Sequence, residues 1–237
     1  MKTINSFISE KLKITKNMLN NQRDGYEYVD LGLPSGTLWA KCNLGAENET
    51  DTGDYFAWGE TETKKDYKLY RWSTYKYAKG VTEDKLTKYC NSKAFGYNGF
   101  TDNITQLELE DDAAHVNMSS AWYTPTFEQI EELVGNTTNE FVKNYNDTGV
   151  NGILFTAKNS NTLFLPAAGE VNYFQGGIEN NNLNGCYMSS TLYQKCCERA
   201  CALVFSEHTE IRLPLWYVEP LRSHGFSVRP VINNLNI

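Results

Sequence analysis

Cysteine is the residue type whose placement first suggests chemistry in this chain. Six are present: Cys42 and Cys90 stand apart, while Cys186, Cys196, Cys197 and Cys201 crowd into one stretch. A structural zinc site needs matched Cys-x-x-Cys pairs or a Cys/His mixture at ligand spacing, and neither occurs. His115, His208 and His224 lie far apart without a His-Glu-x-x-His arrangement, so no metal and no cofactor are expected. Calcium needs clustered carboxylates and amides, yet residues 185–231 hold scattered Glu and neither Asp nor Asn. Asp51, Asp54, Asp102, Asp111 and Asp112 read as turn and cap residues. What the C-terminal stretch offers is contact chemistry. Tyr193, Trp216 and Tyr217 are rigid aromatics of the kind that dominate interface energy. Arg199 and Arg212 can donate charged hydrogen bonds to an acidic or polar partner.

That stretch also has an unusual composition. Residues 1–184 contain 22 Asn and residues 185–232 contain none, where the same density would place about five or six. The run Leu213-Pro214-Leu215-Trp216-Tyr217-Val218-Glu219-Pro220 sets apolar and aromatic side chains between two prolines. Those prolines forbid a regular central strand, so the run reads as an exposed, locally rigid loop, the usual mark of an interaction site.

The elements that must position these residues are short. Residues 3–20 place Ile4, Phe7, Ile8, Leu12, Ile14, Met18 and Leu19 on one half of a helical wheel. Such a helix either packs on its own domain or serves as a segment for oligomerisation or attachment, and residues 1–24 are set apart on this basis. Tyr26-Glu27-Tyr28-Val29-Asp30 alternates like an edge strand, and Leu33-Pro34-Ser35-Gly36-Thr37 is a turn before a strand opening at Leu38. Residues 60–112 read as long loops around short elements. Asp111-Asp112-Ala113-Ala114 suggests a short helix. A clearer helix follows Thr126, with Gln129 at its third position, a buried stripe of Phe127, Ile130, Leu133 and Val134, and Gly135 at its end. Residues 152–156 and 162–166 read as paired strands. The fold class is α+β, with strands dominant and two or three helices.

The bulk numbers bound the function. At 237 residues the chain suits one domain of ordinary to large size, or one domain with a small appendage. A net charge of −7 argues against a nucleic-acid partner. The longest apolar runs fall far short of the roughly 20 residues that span a bilayer, so no membrane insertion is expected. Residues 1–20 lack the apolar core of a signal peptide, which points to cytoplasmic synthesis, with virion assembly or surface display left open. Fifteen Tyr, eleven Phe and five Trp suit either a binding surface or strand-rich packing.

Several ordered segments resemble one family. Tyr28-Val29-Asp30-Leu31-Gly32-Leu33-Pro34-Ser35-Gly36-Thr37-Leu38-Trp39-Ala40 and Gly53-Asp54-Tyr55-Phe56-Ala57-Trp58-Gly59-Glu60 resemble the opening signatures of the Fibrobacter major paralogous domain. The pattern recurs at Glu110-Asp111-Asp112-Ala113-Ala114, Trp122-Tyr123-Thr124-Pro125-Thr126, Phe164-Leu165-Pro166-Ala167-Ala168-Gly169 and Gly225-Phe226-Ser227-Val228-Arg229-Pro230-Val231, covering about residues 26–231. The family is similar in turn to the formylglycine-generating-enzyme branch of the C-type lectin fold. The resemblance therefore implies a C-type-lectin-like domain over residues 25–237.

Within that superfamily the chain looks most like the variable proteins of diversity-generating retroelements, in which mutagenised template adenines, often in Asn codons, rewrite a C-terminal segment. This would account for the missing asparagines and places the variable region at about 185–226. The resemblance marks Ser189, Ser190, Ala200, Leu203, Phe205, Arg222, Gly225 and residues 227–231 as constant scaffold. It marks Tyr193, Cys196, Cys197, Arg199, Cys201, Ala202, Val204, Leu215, Tyr217, Leu221, Ser223 and His224 as residue types an Asn codon can become. Gln194, Lys195, Glu198, Glu207, Glu210, Trp216 and Glu219 are not reachable that way; they are template-fixed or count against diversification. Met188 stands where the family has Trp. The implied activity is ligand binding, not catalysis, to a protein or glycan on a cell surface, as a phage receptor-binding or bacterial display module. The expected ligand-binding set is Tyr193, Cys197, Arg199, Cys201, Ala202, Val204, Arg212, Leu215, Trp216, Tyr217, Leu221, Ser223 and His224, with a possible homo-oligomer through the N-terminal helix. The alternatives are a structural adhesin or pilus-tip module without diversification, and an oxidase of the formylglycine-generating type. The oxidase needs a reactive cysteine pair at defined places, which the adjacent Cys196-Cys197 does not match.

Overall fold

A computed structural model describes residues 21–212 and 220–233, and for residues 209–212 the backbone alone. The expected helix over residues 3–20 lies outside the described residues. The chain is a mixed α+β protein, mostly strands. One sheet joins β1 (Gln22–Arg23), β2 (Tyr26–Val29), β3 (Thr37–Ala40) and β14 (Val231–Asn233) in the order β1-β2-β3-β14, so the two ends of the described chain form opposite edges of one sheet. The expected edge strand at Tyr26 is therefore covered: β1 pairs with it across Asp24 and Gly25, both at positive φ. A second sheet stacks β5 (Thr137–Val142), β6 (Gly152–Ala157) and β7 (Thr162–Pro166), and β6 pairs with β7 as their composition predicts.

The largest sheet carries the C-terminal stretch. It contains β4 (Tyr55–Ala57), β8 (Glu170–Val171), β9 (Ile178–Glu179), β10 (Asn184–Leu192), β11 (Ala200–Ser206), β12 (Thr209–Arg212) and β13 (Gly225–Ser227). Its path is β12-β11-β10-β13-β8-β9, with β4 added on β13. The nine-residue β10 lies antiparallel to β11 and parallel to β13. Both faces of β10 are covered, and β11 is only partly so. Cys186, Met188 and Ala200 face one apolar cluster, whereas Tyr187, Leu203 and Phe205 face another. Two-sided burial explains why β10 shows no polar alternation.

The helix Phe127–Asn136 starts as its sequence dictates. Thr126 accepts from the Gln129 amide at 3.3 Å and the Gln129 side chain accepts from the Thr126 amide at 2.9 Å, a complete capping box. Ile130 and Leu133 point into the second cluster, and the helix runs one residue past Gly135 before β5 begins. Asp112 starts the shorter helix Ala113–Asn117 by accepting from the Ala114 and His115 amides. Residues 60–112 hold single 3-10 turns and isolated bridges, as expected of loops, but five of their aromatic rings are core, whereas Tyr67, Tyr97 and Phe100 are exposed. Tyr70, Trp72, Tyr75, Tyr77 and Tyr89 join Trp58 in the first cluster. Packing of loop aromatics thus uses much of the tyrosine and tryptophan content, through edge-to-face pairs such as Trp58 on Tyr89 at 5.0 Å.

Gly185 sits directly opposite Phe205 in the hairpin, and a Cβ there would overlap the Phe205 ring. That ring in turn stacks on Tyr187. Gly185→Ala is expected to cost about 2–3 kcal/mol by overpacking, read as a lowered midpoint in urea unfolding with an unchanged slope. Among the described residues no helix is long and apolar enough to cross a membrane.

Candidate ligand-binding site

Beyond Leu192 the hairpin opens into a loop, residues 193–199, that folds onto the chain entering β13. The Tyr193 amide donates to the Arg199 carbonyl, and Arg199 forms a bridge with Leu221. The Ala200 amide donates to Pro220, Arg222 to Glu198, and His224 to Leu221. Two segments separated in sequence thus become one rim at the end of β10 and β11.

Arg222 fixes that rim from beneath. It is fully buried, and its guanidinium donates to the Tyr75 hydroxyl (3.0 Å) and to the carbonyls of Tyr89 (2.9 Å), Cys197 (2.8 Å) and Lys88 (3.1 Å). The cation lies 4.6 Å from the Trp58 ring centroid, with Tyr75 and Tyr89 slightly farther away. Carbonyl dipoles and ring faces therefore solvate the charge. Arg229, also buried, plays a parallel part below β3, donating to Asn43, Ala40 and Lys41.

The expected site residues divide by burial. Tyr193, Arg199, Cys201, Ala202, Val204, Leu221 and His224 are half-buried along the rim and β11, and Ala202, Val204 and Leu221 rest their inner sides on the first cluster. His224 lies 3.6 Å from a Glu170 carboxylate oxygen on β8. Two expectations are corrected. Cys197 is 0% exposed, with its sulfur 3.4 Å from that of Cys90, and Ser223 is 1% exposed. Neither side chain reaches a ligand at the surface. Both point inward because Arg222 binds the Cys197 carbonyl and pulls each of these segments onto the core. Leu215, Trp216 and Tyr217 lie outside the described residues; Arg212 belongs to β12, but its side chain is not among those described. The scaffold set behaves uniformly: Ser189, Ser190, Ala200, Leu203, Phe205, Arg222, Gly225 and residues 227–231 are all buried.

Three other arrangements were not legible in the sequence. Asp111, expected as a turn residue, is a buried counter-ion. It accepts from Lys76 (2.9 Å), Lys88 (2.6 Å) and the Tyr89 hydroxyl (2.6 Å). Burial alone would raise its pKa. Lys88, Tyr77, Tyr89 and Lys76 outweigh that and hold the carboxyl well below the usual range, although the Tyr77 hydroxyl faces it without a well-formed hydrogen bond. Carboxylate oxygens of Glu108, Glu110 and Asp111 come within 4.8 Å of one another. The Lys88 ammonium takes the central place, at 2.5 Å from Glu108 and 3.6 Å from Glu110. A second feature is a cleft of about 880 Å³ that shares no residue with the rim. Its wall carries Glu27, Glu47, Glu49 and Asp54 against one lysine, Lys41, which pairs with Glu27 at 2.7 Å. The third is the turn after β8, which presents Phe174 at 83% exposure beside Tyr173. The buried Asn172 side chain holds that turn by accepting from the Phe174 and Gln175 amides.

Compared with family models, curated proteins and solved structures, the chain matches none.

Proposed function

We propose that this chain is a recognition module of the C-type lectin type, and not an enzyme, whose C-terminal stretch is a replaceable ligand-binding surface on a constant frame. Its ligand in this reading is a protein or glycan on a cell surface. The observation that supports it is the division of burial. Every position that the family resemblance marks as scaffold is buried. Of the described positions marked as replaceable, all but Cys197 and Ser223 are half-buried on the rim and β11. A frame of this kind tolerates many surfaces, because substitutions away from the core leave stability nearly unchanged.

Returning rim residues to asparagine tests the division. Tyr193→Asn and Arg199→Asn are expected to shift stability by no more than about 1 kcal/mol. Cys197→Asn, which buries an amide among apolar side chains, costs about 2–4 kcal/mol. Thermal melts of the three variants read this directly, and equal losses in all three would sink the reading. For function, the intact chain is applied to arrays of cell-surface glycans and proteins. A ligand retained by the parent chain and lost at least tenfold in the Tyr193 and Arg199 variants supports the assignment. Diversification itself is tested in the surrounding DNA. An Asn-rich near-repeat of residues 185–231 beside a reverse transcriptase supports it, and the absence of both overturns it.

A further inference from the structure

We propose that Cys90 and Cys197 form an intrachain disulfide when the chain folds in the presence of a low-molecular-weight disulfide oxidant. The two sulfurs lie 3.4 Å apart in a fully buried setting. Moving them to the bonded separation of about 2.05 Å is a small side-chain adjustment. The backbone around them is held from three directions. A single Arg222 nitrogen, Nη1, donates to both the Tyr89 and the Cys197 carbonyls, at 2.9 and 2.8 Å, so one atom brackets the two strands of chain. Asp102 accepts from the amides of Tyr89 (2.6 Å) and Cys90 (2.9 Å), which fixes the turn that presents Cys90. The Asn91 side chain donates to the Gln194 carbonyl at 2.7 Å, a further tie between the same loops. The juxtaposition therefore follows from polar contacts that neither sulfur makes.

The geometry also selects between neighbours. Cys197 is enclosed and faces Cys90, whereas Cys196 is half-buried on the rim. Burial, with the Cys90 contact adding to it, pushes the Cys197 thiol up to about 12, so exchange in the folded chain is slow. The bond accordingly forms during folding. One cysteine thiolate attacks a sulfur of oxidised glutathione, releasing one glutathione and leaving a mixed disulfide. The second thiolate then attacks the protein-bound sulfur and releases the other glutathione. Two protein thiols are oxidised and one glutathione disulfide is reduced to two thiols. The product ties the 193–199 loop to the 89–103 loop, closing a span of 107 positions. This goes beyond the recognition reading and does not rest on it.

The test refolds the full chain with and without oxidised glutathione, alkylates remaining thiols and maps peptides without reduction. The expected result is a Cys90–Cys197 crosslink that survives Cys196→Ser and disappears in Cys197→Ala and in Cys90→Ala. Closure of so long a span raises the melting temperature by about 10 °C, reversed by reductant. Two outcomes overturn the proposal. One is alkylation of both Cys90 and Cys197 after oxidative refolding, and the other is a crosslink that persists in Cys197→Ala through Cys196.

Discussion

Arg222→Ala lowers the stability of the fold by about 3–5 kcal/mol, because it removes the one donor group that satisfies four buried acceptors on three segments. At about 2–4 °C per kcal/mol for a chain of this length, the melting temperature falls by about 6–20 °C. The loss comes from what is left behind. The carbonyls of Lys88, Tyr89 and Cys197 stay buried without that partner, and a void opens under the Trp58 ring. Arg222→Lys does not rescue the protein, since an ammonium cannot reproduce a planar fork that donates in three directions while lying against an aromatic face. Thermal unfolding of both variants checks this, and a lysine variant as stable as the parent would show that charge alone suffices. Because the same guanidinium holds the rim, the proposed recognition function predicts that ligand retention would be lost with it.

Asp111→Asn is expected to cost about 2–3 kcal/mol at neutral pH. The figure lies below that of a fully enclosed ion pair because the Lys76 and Lys88 ammonium groups can turn to water, at 49% and 22% exposure. The pH dependence identifies the cause. Asp111 has a folded pKa well below its unfolded one, so the unfolded chain takes up the proton first as acid is added. Its contribution is fully present above the ordinary carboxylate range near about 4 and fades as the pH falls through and below it. The gap between parent and variant melting temperatures is therefore widest at pH 7, begins to shrink only below about pH 4, and closes as the pH falls through the depressed folded pKa. A gap that stays constant across that range would show that Asp111 acts through shape and not through charge.

Much of the frame was legible residue by residue. Thr126 and Gln129 specify their capping box through contacts three positions apart, and Asp112 specifies the start of the short helix in the same way. The strands flanking the turn at 158–161 pair as their composition predicts. The candidate site was only partly legible. Adjacent Cys196 and Cys197 carry identical chemistry, and nothing local distinguishes the one on the rim from the one against Cys90. Ser223 reads as replaceable, yet it is buried beside the fully enclosed Arg222. Asp111 reads as a turn residue because the lysines and tyrosines that make it a counter-ion are 22 to 35 positions away.

By itself the sequence determined whatever is set within a few residues: helix starts, turns, strand patterns, and a C-terminal stretch free of the asparagine common elsewhere. Tertiary structure decided which side chains of that stretch face inward. In an irregular loop no helical or strand period assigns direction, so orientation is dictated by distant partners. Here those partners are the carbonyls and rings gathered around Arg222, which can be known only once segments more than a hundred residues apart are brought together.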